Sequence, residues 1–269
     1  MSLIELGLII CFIGFLSSSL LCAKALYTKR ENNNHTTLLI AIVATTVQLF
    51  IAKQIFFLND TGQFSLAAMM LLISSLINLA ILVKSVKQFN PMMLLVTTGF
   101  STLVAGLLLV TPMSSNLYHA GAINTSLPMA IHIILSVSAY CVLVMASLYA
   151  LQFHYIDLKL KSKTLPLNSF LPPLNVVERQ HFNLMSFGVL LLTAALITGF
   201  TFLDSMWSVD YAHKTALSLL AWLMFTVLTI GHKLYGWRGN GSVITTIIAA
   251  ALLSLAYFGS RFVKEVLLT

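Results

Sequence analysis

Eight apolar runs of about 20 residues follow one another along the chain, near 3–23, 36–57, 64–83, 92–112, 127–152, 182–203, 213–233 and 241–261. A helix of that length crosses a hydrocarbon core of about 30 Å. Inside such a core every backbone N–H and C=O must be paired within the structure, which is what a helix does. The pattern therefore predicts an all-α fold, a polytopic membrane helical bundle of about eight transmembrane helices. Composition agrees: 58% of the 269 residues are hydrophobic and only 9% are charged, with a mean hydropathy of +0.93. A soluble domain carries closer to a quarter charged residues.

The net charge of +7 could suggest an anionic partner, but its distribution has a simpler explanation. Lys24, Lys29 and Arg30 follow span one, and Lys84 and Lys87 follow span three. Lys159, Lys161, Lys163 and Arg179 lie between spans five and six, and Lys233 and Arg238 between seven and eight. Basic residues beside spans stay on the cytoplasmic side. The odd-numbered connections are expected there, which puts both termini on the outer, periplasmic side. No nucleic-acid partner is implied.

The first span has its basic residues after the apolar stretch, the reverse of a secretory leader, and is expected to remain as a membrane anchor. Cys11, Cys22 and Cys141 are widely separated within spans, with no C-x-x-C, so disulfide scaffolding and covalent haem attachment gain no support. H-E-x-x-H is absent, and none of the eight acidic residues lies mid-membrane, so metalloproteolysis and proton-coupled transport are weak readings.

The two parts of the chain differ in chemistry. Residues 1–126 hold spans one to four, rich in Leu, Ile, Ala, Ser and Thr, with Lys53 read as an interfacial anchor. Six of the seven histidines and all three tryptophans come after span four. His132 lies one to two turns into span five, and His213 opens span seven at the same expected depth, after an outer loop carrying Trp207. Two neutral imidazoles are what six-coordinate haem iron accepts, and an aromatic ring can lie against the macrocycle. Lys214 and Arg261 are placed to meet the two propionates. The alternative for an intramembrane histidine is a hydrogen bond across helices. His154, His181 and His232 form a second group at the cytoplasmic ends of spans five to seven, either an inner haem or metal site or interfacial structural residues.

The connection 153–181 is the longest, with alternating apolar and basic residues before Pro166, Pro172 and Pro173. It is expected to continue span five as a helix along the inner surface. It is held by anionic lipid or serves as a contact for another membrane protein.

From His132 onward several motifs occur in a fixed order: S-x-x-A-Y at Ser136–Tyr140, L-P-P-L at 171–174, Leu191–Gly199, Ala221-Trp222-Leu223 and Gly236-Trp237-Arg238-Gly239. This ordered set resembles the cytochrome c assembly family of haem-handling membrane proteins, the CcsA and CcmC type. It is most like the YpjD-type and HemX-like branch, where His213-Lys214-Thr215 and the ending Tyr257–Arg261 have counterparts. The resemblance implies a bacterial cytoplasmic (inner) membrane location and a core of helices five to eight at 127–269. It implies haem b held by His132; His213 as second ligand, Trp207 shielding the ring and Lys214 and Arg261 on the propionates are expected from their shared depth and side. The outer loop keeps only Trp207 and Asp210 of the family's tryptophan-rich signature, and the late outer histidine of the ligase type is absent. The expected role is therefore haem binding and transfer in cytochrome c assembly, with a cytochrome assembly factor or another inner-membrane protein as partner through 153–181. The chain is not expected to catalyse a bond change itself. The alternative is a haem-free membrane scaffold or regulatory subunit that binds another membrane protein.

Overall fold

The computed structural model describes residues 3–28, 34–58, 66–87, 89–111, 127–163, 171–202 and 209–259, and among these the regular structure is entirely helical. The helices in order are α1 (Leu3–Thr28), α2 (Asn34–Leu58), α3 (Leu66–Lys87), α4 (Pro91–Val110), α5 (Leu127–Lys161), α6 (Leu174–Phe202), α7 (Val209–Tyr235) and α8 (Asn240–Ser254). The chain then widens into a π-helical stretch over Leu255–Gly259. All eight spans are long and apolar enough to cross a membrane. The eight long apolar helices expected from the sequence are those observed among the described residues.

Two boundaries differ from the apolar runs. Helix α5 has 35 residues, about 52 Å at 1.5 Å per residue, well beyond the 30 Å of a hydrocarbon core. Its apolar run fades at 152 because charged residues enter, but nothing breaks the helix there. Asp157 and Lys161, one turn apart, pair at 2.7 Å and support the extension. The helix ends where Lys163 takes a left-handed backbone, φ +52°. Helix α6 starts at Leu174, directly after Pro172 and Pro173, eight residues before its apolar run. Proline fixes φ and disfavours helix in the residue before it, so a helix begins cleanly after such a pair.

The chain divides into two compact units, α1–α4 and α5–α8. In the first, α1 packs on α2 and α4, and α3 closes the ring between α2 and α4. Its core holds Leu8, Cys11, Phe15, Ile51, Ile55, Leu71 and Leu108. Helix α4 is started by Asn90, whose side chain accepts from the Met93 N–H at 3.3 Å, with Pro91 in the first turn where its missing N–H costs nothing. In the second unit α5 lies along α6 and α8, and α7 also lies on α6 and α8, so α5 and α7 face each other diagonally.

Candidate functional site

At the end of the second unit where α5 and α7 begin, His132 is half-buried on α5. Its Nδ1 lies 2.9 Å from the Ala195 carbonyl oxygen on α6 and 3.4 Å from Thr198 Oγ1. A carbonyl can only accept, so Nδ1 carries the proton and donates, leaving Nε2 with an unshared pair. Thr198 itself donates to the Ala194 and Ala195 carbonyls at 3.0 and 2.9 Å. The imidazole is thus held in one tautomer by α6, which is how ligand histidines are oriented in metal sites.

His132, Ser136 and Tyr140 recur every four residues and share one face of α5. Ser136 donates to Ile133 and sits 3.4 Å from the Tyr257 hydroxyl; Tyr140 and Ser254 pair at 3.0 Å. The Tyr140 and Tyr257 rings stack at 5.1 Å. The wider π-helical turn that carries Tyr257 therefore closes on α5 directly below His132. Helix α7 is tied to α6 by Trp222, whose Nε1–H donates to Thr193 Oγ1 at 2.8 Å.

His213 lies four residues into α7, a depth comparable to that of His132, five residues into α5. It is exposed, Lys214 beside it is half-buried and Thr215 is buried. The structure sets the two histidines on diagonal helices at one end of the unit and makes no bond between them. Trp207 and Arg261 lie outside the described residues.

The opposite end is built differently. His181 is 3% exposed, and its Nδ1–H donates to the Ala146 carbonyl of α5 at 2.9 Å. Phe182 next to it stacks on His232 with centroids 3.4 Å apart and planes 5° from parallel. His232 Nδ1–H donates to the Trp237 carbonyl at 3.0 Å, and His154 Nδ1–H donates to Asn240 Oδ1 at 2.9 Å. Arg238 reaches Glu178 at 3.5 Å. The turn between α7 and α8 makes this possible. Gly236 ends α7 with φ +67°, which only glycine adopts cheaply, and its N–H returns to the His232 carbonyl. Trp237 then folds its ring over Gly231, where any Cβ would collide with it.

The inner histidines that the sequence groups as one cluster are thus each anchored to a different partner on α5, the turn or α8. Among the described residues no group of three or more His, Cys, Asp or Glu could hold a metal ion. The clasp formed by Gly231, Trp237 and Asn240 has no signature in the sequence beyond the G-W-R-G motif, which ends span seven.

The model of a family described as cytochrome c assembly protein matches residues 6–268. The chain is 42% identical over 139 residues to the inner membrane protein YpjD of Escherichia coli strain K12, covering 52% of this chain and 53% of that protein. It is 36% identical over 143 residues to an uncharacterized 28.8 kDa protein of Azospirillum brasilense, covering 51% and 52% of the two chains. The chain spans about half the length of the curated relatives it matches. No solved structure gives a significant match. A family match over nearly the whole length, together with eight membrane-spanning helices, places this multi-pass membrane protein in the cytochrome c assembly family.

Proposed function

We propose that this inner-membrane protein handles haem for cytochrome c assembly, binding haem b at the end of the second unit where α5 and α7 begin. The observation that carries the reading is the hydrogen bond from His132 Nδ1 to the Ala195 carbonyl. It fits an axial ligand, because it fixes the tautomer that presents Nε2 as a free pair and strengthens its basicity.

In this reading His132 and His213 would hold the iron, Lys214 and Arg261 would meet the propionates, and Trp207 would lie against the ring. Ser136 and the stacked Tyr140 and Tyr257 close the pocket on the membrane side. The charge bias puts the pocket on the outer face, where a cytochrome assembly factor would take the cofactor. Haem, when bound, supplies the redox-active iron; the protein orients it and shields it from water. The exposed helix end at Leu158–Lys161 would meet an inner-membrane partner or anionic lipid.

The test is the absorbance spectrum and pyridine haemochrome of the purified protein, expressed with added haem precursor, beside His132→Ala and His213→Ala. A Soret band in the native protein that is lost in His132→Ala supports the reading. No band, or the same band in His132→Ala, overturns it.

A further inference from the structure

The first unit is apolar by composition, yet its middle is polar. Gln48 on α2, Ser74, Asn78 and Ser85 on α3, and Ser101 on α4 are at most 2% exposed. Gln48 Nε2 donates to Ser74 Oγ at 2.7 Å, and Asn78 Nδ2 donates to Ser101 Oγ at 2.6 Å. Ser74, Asn78 and Ser85 fall four and then seven residues apart, so they share one face of α3. Together they mark a seam between α2, α3 and α4 running about 16 Å along α3 toward its lysine-bearing end.

Three polar atoms in this seam have no partner: the amide oxygens Gln48 Oε1 and Asn78 Oδ1, which accept, and the Ser85 hydroxyl, which can donate or accept. Of the neighbouring hydroxyls, five direct their protons to helix carbonyls. Ser74 donates to Met70, Ser75 to Leu72, Thr97 to Met93, Thr98 to Leu94 and Thr102 to Thr98. Lipid supplies no donor either, and an unpaired polar group in hydrocarbon costs several kcal/mol. The described parts of α2, α3 and α4 carry no carboxylate to face the amides, which disfavours a cation as occupant. The two amide oxygens ask for an uncharged O–H or N–H donor, and the Ser85 hydroxyl for a group that donates or accepts.

We propose that this seam binds water, and small uncharged hydrogen-bond donors in its place, giving the first unit a hydrated pocket that opens at the lysine-bearing end of α3 and α4 and reaches mid-membrane. Water filling a polar gap of this kind makes two to four hydrogen bonds. The pocket is separate from the haem reading and stands or falls independently of it.

The test uses the full chain with Cys11, Cys22 and Cys141 replaced by Ala, and single cysteines at Ser85 or Ser101. Thr46→Cys, on an exposed face of α2 among apolar neighbours, is the lipid-facing control. Each is treated in right-side-out and inverted membranes with a charged, membrane-impermeant methanethiosulfonate, which reacts only with a thiolate in contact with water. The proposal expects Ser85→Cys and Ser101→Cys to react from one side at least about tenfold faster than Thr46→Cys. Added urea should slow the reaction by competing for the same acceptors. Rates no faster than the control, in protein that labels fully after unfolding in detergent, overturn it. Variants are compared only when they elute as the native protein does; if Ser85→Cys fails that check, the rate of Ser101→Cys alone decides.

Discussion

The two ends of the second unit carry histidines in similar numbers and use them in opposite ways. At the end where α7 finishes, His154, His181 and His232 give their Nδ1–H groups to Asn240, Ala146 and Trp237 respectively, and with the Phe182 stack they join α5, α6, α7 and α8. At the other end His132 makes the same kind of bond to Ala195, but no clasp surrounds it among the described residues, and His213 stands exposed across the bundle. The same hydrogen bond leaves Nε2 buried inside the clasp at His181, whereas the His132 ring is only half-buried near the start of α5. What distinguishes structural from ligand histidine here is the surrounding packing, which residue spacing does not reveal.

That contrast can be broken by substitutions at the clasp, which should cost stability and leave any haem spectrum intact. Gly231→Leu has the largest expected effect. A side chain there must displace the Trp237 ring and with it the carbonyl that His232 uses, at about 3 kcal/mol or more. A thermal melt monitored by size exclusion should show loss of most folded protein. His181→Ala comes next, removing a nearly fully buried ring and its bond to α5, about 2 kcal/mol by the same melt. His154→Ala should cost less, about 0.6 kcal/mol, the usual worth of a hydrogen bond between membrane helices. If His154→Ala exceeds Gly231→Leu, the clasp is not organised around the turn. Smallest in stability is Thr198→Val at the other end. It should leave the melt within about 0.5 kcal/mol yet weaken haem retention several-fold, because it loosens the carbonyl that orients His132.

Much of the fold was legible in the sequence because a bilayer imposes one length and one solution on each crossing segment. The helix ends were less so. Apolar counting stops α5 at 152, although the alternating apolar and basic residues beyond it predict the continuation seen to Lys161, where the Asp157–Lys161 pair supports it until Lys163 turns the backbone; the early start of α6 at Leu174 is what the apolar run misses. His132 stands out through its depth and its place in an ordered family pattern. The polar seam does not: Gln48 and Asn78 are single amides in apolar runs, and a lone amide reads equally as interhelical glue. Only the count of donors and acceptors around each one shows that an acceptor is left over. The histidine clasp is hidden for a related reason, since its partners include the backbone carbonyls of Ala146 and Trp237, which carry no signature in sequence.

The most direct test of haem binding at the His132 end is chemical rescue. His132→Gly and His181→Gly are purified after expression with haem precursor, and their Soret bands are recorded with and without millimolar imidazole. The account predicts that the band is lost in His132→Gly, returns when imidazole fills the vacated position, and persists in His181→Gly without it. A band that survives in His132→Gly and disappears in His181→Gly would move the cofactor to the opposite end and contradict the account.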